Sequence, residues 1–211
     1  VSKGMCADFN IHDTGSGNPH AHILLTMRPM DEQGKWLPKS KKEYVLDENG
    51  VPTGKTALRG HSVLAPGEYH LVVHIWVVSK SGLFLIQRRA DDKKLMPGEW
   101  AATGGAAVAG ENSLAAAQRE LQEELSIAAD KSNMQLLTRI KRRNSLLDVW
   151  LTESNTPAEK LTLQQTEVAE AKWITGKELK EMIKNGTFHN YGKEYFESVF
   201  GKIEDYRGAV V

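Results

Sequence analysis

The sequence predicts an α/β (α+β) fold in which helices cover both faces of a mixed sheet, with a short N-terminal appendage. Two observations predict it. Pairs of strand-like segments alternate with isolated amphipathic helices, an order typical of layered sheets. The first 42 residues stand apart, because they are rich in Gly, Asn, Asp, Pro and Lys around one good strand candidate, 22–27. We therefore expect an appendage over 1–42, a domain over 43–205 and a C-terminal tail over 206–211.

The first strands of the domain are marked by their composition. Residues 71–78 form an apolar run rich in β-branched side chains, which predicts a buried strand. A hairpin connection at 79–82 leads to a returning strand at 83–88. The segment 97–100 then turns the chain into a glycine loop. The glycines of that loop are Gly104, Gly105 and Gly110.

One amphipathic helix follows the glycine loop. Asn112 or Ser113 can cap its start, and Ser126 and Asp130 mark its end. Its apolar stripe leaves the acidic side chains mostly on other faces of the helix. The stripe consists of Leu114, Ala117, Leu121 and Leu125.

The remaining elements continue the alternation of strands and helices. Strands are expected at 134–141, 146–153 and 169–174. Two helices close the chain, at 176–185 and at about 191–200. The pair Asn185–Gly186 stops the first of them.

The overall charge balance excludes several classes of partner. Lys and Arg together number 27, as do Asp and Glu, so no global basic field favours nucleic acid or an anionic membrane. The apolar runs are far shorter than the roughly 20 residues of a membrane span. Because Cys6 is the only cysteine, no intrachain disulfide can form and a reducing cytoplasm is the expected location.

The helix after the glycine loop carries a cluster of carboxylates. Glu120, Glu123 and Glu124 have i, i+3, i+4 spacing, which places them on one side of a helix, and Glu111 lies just upstream. Like charges held this closely favour a cation between them, and oxygen ligands suit Mg²⁺ or Mn²⁺. The alternative is a solvated helix face on which Arg119 pairs with Glu123.

The spaced pattern G-x5-E-x7-R-E-L-x-E-E-x-S-I, from Gly105 to Ile127, resembles the Nudix box. The resemblance covers about residues 43–205 and implies a Nudix-type α/β/α sandwich. It further implies a Mg²⁺-dependent hydrolase that cleaves a diphosphate linkage by water attack at phosphorus. Ser126 departs from the pattern, because the family usually has glycine where the helix ends.

The same resemblance implies roles for individual residues. Glu120, Glu123 and Glu124 are implied metal ligands, together with a backbone carbonyl at Gly105. Arg119 is implied to orient the carboxylates, with Glu111 as its partner. The general base is a glutamate of the box or of a later loop, where Glu167 is the first candidate and Glu170 the second. Arg88, Arg89, Gly104 and Gly105 are the implied substrate-binding residues, and one of the two arginines is expected to point to the cleft.

Segments outside the box indicate a particular branch. Residues 47–50, 53–55, 59–60, 70–76, 87–89 and 97–100 look like the Nudix branch that contains isopentenyl diphosphate isomerase. That enzyme is implied to need a cysteine just after the strand that leads into its metal site. The matching stretch here, 100–105, has no cysteine, so the sequence predicts a hydrolase of this branch rather than an isomerase.

Other polar and aromatic residues allow two interpretations each. His61, His70 and His74 are either additional metal ligands or hydrogen-bonded strand histidines. The tryptophans are either core residues or stacking groups for a base, and the core is the preferred interpretation. They are Trp76, Trp100, Trp150 and Trp173.

The N-terminal segment, about 1–48, resembles part of the MobA/MobL plasmid mobilisation relaxases, through stretches such as 4–13 and 17–29. In that family a histidine triad holds a divalent metal, and its counterparts here are His12, His20 and His22. Because residues 1–28 contain no tyrosine to act as the nucleophile, the segment is interpreted as a recombination remnant. It could bind metal adventitiously, pack as an extra hairpin or mediate dimerisation.

Four functions follow from these observations. The preferred one is a hydrolase acting on a small-molecule diphosphate such as a nucleoside triphosphate, a nucleotide sugar or ADP-ribose. The alternatives are a non-catalytic nucleotide-binding or regulatory module, an isomerase and a DNA-processing protein. Family relatives are often dimers, so a homodimer is possible, whereas neither membrane nor nucleic acid is an expected partner.

Overall fold

The computed structural model describes residues 5–12, 20–29, 42–60 and 62–209, and the chain divides into two compact units, 1–42 and 43–211. In the first unit β1 (Met5–His12) and β2 (His20–Pro29) form an antiparallel hairpin. The strand predicted at 22–27 is confirmed within β2. The register places His12 opposite His20 and Asn10 opposite His22.

The second unit is built on a seven-stranded mixed sheet with the path β11-β6-β5-β10-β9. A separate hairpin, β3 (Lys42–Leu46) with β4 (Pro52–Leu58), precedes it. The strands of the path are β5 (His70–Val78), β6 (Phe84–Arg89), β9 (Met134–Lys141), β10 (Ser145–Glu153) and β11 (Val168–Ile174). Strand β10 runs parallel to β5, and the other pairs on the path are antiparallel.

The two central strands of this sheet separate along their length. Strands β5 and β6 pair only where Val77 and Val78 face Leu85 and Phe84. Beyond that point β8 (Thr103–Ala106) pairs with β5, while β7 (Trp100–Ala101) pairs with β6. The separation therefore brings the glycine loop between the two strands, close to the end of β6.

Helices cover both faces of the sheet. One face of β5, which includes Val73 and Ile75, packs with α1 (Ser113–Leu125) through Leu121 and Leu125. The other face packs with α2 (Gly176–Asn185) and α3 (Lys193–Ala209). Full burial of one such Leu contributes about 1.5–3 kcal/mol. Because successive side chains of β5 point to opposite faces of the sheet, this one strand contributes to the packing of the helices on both faces. The mixed α/β class is confirmed.

The helices begin close to the predicted positions but differ at the C-terminus. Asn112 caps α1 by accepting a hydrogen bond from the backbone N–H of Ala115 at 2.9 Å. Helix α3 continues to Ala209, so the expected helix end near 200 is wrong, and the domain boundary at 205 stays a prediction. Gly201 is exposed within α3, where the buried side chains of Val199 and Ile203 keep the helix on the sheet. Among the described residues, no helix is long and apolar enough to span a membrane.

Ser126 ends α1 in the left-handed conformation, with φ 54° and ψ 32°, and its hydroxyl donates to the Thr162 carbonyl at 2.9 Å. Glycine there would relieve a backbone cost of about 1 kcal/mol but lose a hydrogen bond worth about 0.5–1.5 kcal/mol. We therefore expect Ser126→Gly to leave the free energy of unfolding within about 1 kcal/mol of wild type. Ser126→Ala loses the bond without the relief and should be the least stable of the three in urea denaturation. Equal stability of the Ala and Gly variants would contradict this account.

Candidate active site

The carboxylates of α1 lie outside the apolar stripe of the helix, yet two of them are buried. Glu120 and Glu124 are each only 4% exposed, whereas Glu123 is partly open to solvent. The expectation that the acidic side chains lie mostly on other faces thus misses their burial. They are buried because the helix also packs against β8 and the end of β6, on the side next to its apolar stripe.

Two glycines of β8 make this close packing possible. A Cβ on Gly105 would overlap the carboxylate of Glu120. A Cβ on Gly104 would overlap the Val73 carbonyl and lie 3.0 Å from Cδ2 of His74. Both positions therefore need glycine for the approach of neighbouring groups rather than for a positive φ.

Arg119 lies at the centre of the acidic cluster. Its guanidinium donates to Glu111 Oε1 at 2.5 Å, to Glu120 Oε1 at 2.7 Å and to Glu123 Oε2 at 3.3 Å. A further bond, at 3.2 Å, reaches the carbonyl of Ala106. Burial alone would lower the pKa of Arg119, but hydrogen bonds and negative charge from Glu111 and Glu120 raise it above its ordinary value. Arg119 thus stays charged, and the predicted contact with Glu111 is present.

Glu124 lies deeper and contacts a different side chain. Gln87 Nε2 donates to Glu124 Oε2 at 2.8 Å, and Gln87 Oε1 accepts from the Thr103 hydroxyl at 3.2 Å. Burial and the negative charge of Glu120 raise the pKa of Glu124 to about 8, against the opposing hydrogen bond from Gln87. A buried carboxylate of this kind is strongly favoured by a nearby cation.

The candidate general bases and the candidate substrate-binding arginines outside α1 differ in the side chains that they contact. Glu167 forms an ion pair with Lys93 at 2.6 Å, and its negative charge contributes to the raised pKa of Glu124. Arg89 lowers the same pKa and donates to the Leu95 carbonyl at 3.1 Å. Arg88 instead contacts Asp91 at 2.7 Å and Glu170 at 3.8 Å. Glu167 and Arg89, rather than Glu170 and Arg88, are therefore the members of each pair that act on Glu124.

Sequence reasoning missed two residues that support the site. Gln87 is buried on β6 directly after the apolar residues 84–86, and a polar side chain that continues a buried run is a signal that could have identified it. Arg59 donates to the Ala106 carbonyl at 2.9 Å, the same carbonyl that Arg119 contacts, and also pairs with buried Glu43. No spacing in the sequence indicates Arg59, because it follows the separate hairpin.

The histidines differ in their surroundings. His74 Nδ1 lies 3.0 Å from the Tyr195 hydroxyl, so the hydrogen-bonded interpretation holds for it. His70 Nδ1 lies 3.3 Å from Glu43 without the alignment of a hydrogen bond. His61 and the side chains of His12, His20 and His22 lie outside what the structure describes, so the second metal cluster stays a prediction. Within the described residues, no three His, Cys, Asp or Glu side chains are already arranged around a metal position.

The tryptophans follow the core interpretation to different degrees. Trp76 is fully buried and Trp150 is 9% exposed. Trp100 and Trp173 are only partly buried. Lys172 lies 4.1 Å from the ring centre of Trp100, a cation–π contact that covers part of its face.

The titration of His74 should be visible in protein stability. Burial, with the positive charges of Arg142 and His189, lowers the pKa of His74 from 6.5 to about 3, while Tyr191 and Tyr195 cover its ring. The unfolded chain therefore binds a proton below pH 6.5 that the folded chain does not bind until about pH 3. The free energy of unfolding should fall as the pH falls through this window, by at most about 1.4 kcal/mol per pH unit.

Urea denaturation at several pH values measures this dependence. The His74→Asn variant keeps an acceptor near the Tyr195 hydroxyl but does not titrate, so its stability should fall less steeply with falling pH. Because His74 as a whole residue is only partly buried, the difference in slope should be below about 1.4 kcal/mol per pH unit. Parallel curves for the two proteins would show that His74 is protonated equally in the folded and unfolded states.

Comparison with known proteins yields matches to both parts of the chain. The model of the NUDIX domain matches residues 68–194, and that of the MobA/MobL family matches residues 1–101. An uncharacterised Nudix hydrolase of Listeria monocytogenes is 40% identical over 148 residues, 70% of this chain and 87% of that protein. The isopentenyl-diphosphate Delta-isomerase of Streptomyces griseus is 38% identical over 85 residues, 40% of this chain and 43% of that protein.

The fold has solved counterparts as well. The crystal structure of DR0079 from Deinococcus radiodurans superposes with a TM-score of 0.60 at 22% identity. The match covers 71% of this chain and 92% of that one. At this identity the likeness supports the arrangement of strands and helices described above and nothing about the ligand.

Proposed function

The chain belongs to the NUDIX domain family and is a Nudix-type hydrolase, and from this premise we propose that it cleaves a diphosphate linkage in a nucleoside diphosphate derivative or a nucleoside triphosphate with the help of Mg²⁺ or Mn²⁺. The expected resemblances to Nudix hydrolases, their isomerase-like branch and MobA/MobL proteins are confirmed as likenesses. One observation carries the proposal: Glu120 and Glu124, one helical turn apart on α1, are both buried, and the missing side chain of Gly105 leaves room for the carboxylate of Glu120.

The donor set of this site fits a divalent cation. Glu120, Glu123 and Glu124 with the Gly105 carbonyl supply only oxygen atoms, the ligands that Mg²⁺ prefers. The missing side chain at Gly105 leaves its backbone next to the Glu120 carboxylate. When bound there, the cation would supply Lewis-acid stabilisation of phosphate charge and acidify a water molecule.

The chain's own residues then hold and activate the reactants. Arg119 orients Glu111, Glu120 and Glu123, while Gln87 fixes Glu124. Glu167, or a glutamate of the box, accepts a proton from the water whose oxygen attacks phosphorus, and the bond to the bridging oxygen breaks. Arg89 binds oxygen atoms of the transferred phosphate and offsets their charge.

The isomerase alternative lacks its acid–base group. The segment 100–105 contains Trp, Ala, Ala, Thr and two Gly, none of which can protonate a carbon–carbon double bond as a cysteine thiol is implied to do. We propose the residue range 43–205 as the hydrolase unit.

A substrate panel tests the proposal. Purified full chain is incubated with nucleoside triphosphates, nucleotide sugars and ADP-ribose, with and without Mg²⁺ or Mn²⁺, and the phosphate and nucleoside monophosphate products are quantified. We expect at least one substrate to be cleaved only with the metal. Glu181 is an exposed glutamate on α2, away from the acidic cluster of α1. The variant Glu181→Gln therefore serves as the control for a Glu→Gln substitution and should retain full activity. Absence of turnover of every substrate would contradict the proposed function.

A further inference from the structure

A chain of hydrogen bonds links Trp76 and His74 of β5 through the Tyr195 hydroxyl. Trp76 Nε1 donates to the Tyr195 hydroxyl at 3.0 Å, and His74 Nδ1 lies 3.0 Å from the same oxygen. Tryptophan can only donate, so the Tyr195 oxygen accepts that bond, and its hydroxyl can in turn donate to His74 Nδ1. In that arrangement a neutral His74 carries its proton on Nε2.

That Nε2–H is free to bind a ligand. Within the described residues it has no hydrogen-bond partner, and it is not among the buried unsatisfied atoms, so solvent reaches it. His74 Cδ2, the carbon next to Nε2, faces Gly104. His74 pairs with Gly104 across β5 and β8, one residue from Gly105, which contacts the Glu120 carboxylate. The donor therefore lies on the opposite face of the same short strand that supports the acidic cluster.

Tyr191 connects this donor to the site and to an open cleft. Its ring centre lies 4.6 Å from that of His74, and its hydroxyl accepts from the Ala102 N–H at 3.2 Å. Ala102 directly precedes Thr103, whose hydroxyl donates to Gln87, the residue that holds Glu124, so the Tyr191 hydroxyl is linked to the catalytic groups through the backbone of β7 and β8. The ring also lines a cleft of about 660 Å³ together with Tyr195 and Arg142.

The chemistry of these groups suits a planar ring that carries hydrogen-bond acceptors. Tyr191 offers an aromatic surface and His74 a neutral donor, and the cleft beside Tyr191 is also lined by the charged residues Arg142, Lys193 and Glu194. An apolar chain in the same place would leave the His74 N–H without a partner, which costs about 1–3 kcal/mol. A nucleobase satisfies both the ring and the donor.

We infer that His74, Tyr191 and Tyr195 form the subsite for the nucleobase of the substrate, with Tyr195 as a positioning residue that sets the His74 tautomer. The inference rests on the proposed function for the identity of the substrate as a nucleotide. It adds the part of the nucleotide that is recognised and the residues that recognise it, none of which belongs to the acidic cluster.

Binding without turnover tests this subsite. Isothermal titration of the full chain with AMP, ribose 5-phosphate and isopentenyl diphosphate, without divalent metal, compares ligands that have a base, no base or an apolar chain. We expect AMP to bind wild type roughly 10- to 100-fold more tightly than ribose 5-phosphate, and Tyr191→Ala to remove most of that difference. Tyr44→Ala, an exposed aromatic on β3, is the control and should retain it.

Two outcomes would overturn the inference. One is equal affinity of wild type for AMP and ribose 5-phosphate, which needs no variant that might misfold. The other is a larger loss of affinity for isopentenyl diphosphate than for AMP in Tyr191→Ala. Nitrogen-15 NMR should show the His74 proton on Nε2 in wild type and a mixture of tautomers in Tyr195→Phe. Because binding is read without metal or hydrolysis, a failed substrate panel with base-dependent binding intact would count against the proposed function alone.

Discussion

Replacement of Glu124 by Gln should lower kcat by roughly 10²- to 10⁴-fold, the consequence of losing several kcal/mol of charge stabilisation. In the wild-type protein Gln87 donates to Glu124 Oε2 at 2.8 Å. Glutamine has the same size as glutamate, and its amide oxygen can still accept this hydrogen bond. The change therefore removes a charge and little packing. Steady-state kinetics with Mg²⁺, on whichever substrate the panel identifies, measures the loss.

The same substitution should not destabilise the protein. The pKa of Glu124 is raised to about 8 from 4.5, so the ionised form is disfavoured in the folded state near pH 7 relative to the unfolded chain. A neutral amide removes that penalty, and the free energy of unfolding without metal should equal or exceed that of wild type. Glu181→Gln should change neither quantity. Undiminished kcat, or a marked loss of stability in Glu124→Gln, would contradict the role assigned to this carboxylate.

The helix and its acidic residues could be predicted because they depend on local spacing. Asn112 as a cap and the i, i+3, i+4 glutamates are properties of one segment, and α1 begins at the predicted position. The burial of Glu120 and Glu124 could not be predicted in the same way. It depends on how β5 and β6 separate and let β8 approach α1, which is a property of strands far apart in the sequence.

The supporting residues were harder to predict for the same reason. Two adjacent arginines on β6 must face opposite ways, but the sequence does not say which one faces Glu124; the sheet register makes it Arg89. Tyr191 follows β10 and β11 in sequence, yet its hydroxyl contacts the backbone of Ala102. Contacts of this kind arise only after the layers of the fold have packed.

Arg119→Met should be the most destabilising substitution in the site, at about 3–5 kcal/mol, because it leaves buried carboxylates without their guanidinium. Arg119 is about one-tenth exposed and contacts three carboxylates and the Ala106 carbonyl. Arg119→Lys keeps the charge but can make fewer of these bonds, since its ammonium is a single point donor rather than a planar fork. It should lose less stability than the Met variant and still reduce kcat, because Glu120 and Glu123 are no longer held together.

A double-mutant cycle with Glu111→Gln separates pairing from packing. Glu111 makes two bonds to Arg119 and accepts the Val108 N–H at 3.0 Å, so its loss alone should also destabilise the protein. If the two residues act as a pair, the double variant should be more stable than the sum of the single losses predicts, by about 1–3 kcal/mol in urea denaturation. Additive losses would mean that Arg119 acts through its contacts with Glu120 and Ala106 instead. The coupling energy thus decides whether Glu111 orients Arg119 or only stabilises the glycine loop through its hydrogen bond with the Val108 N–H.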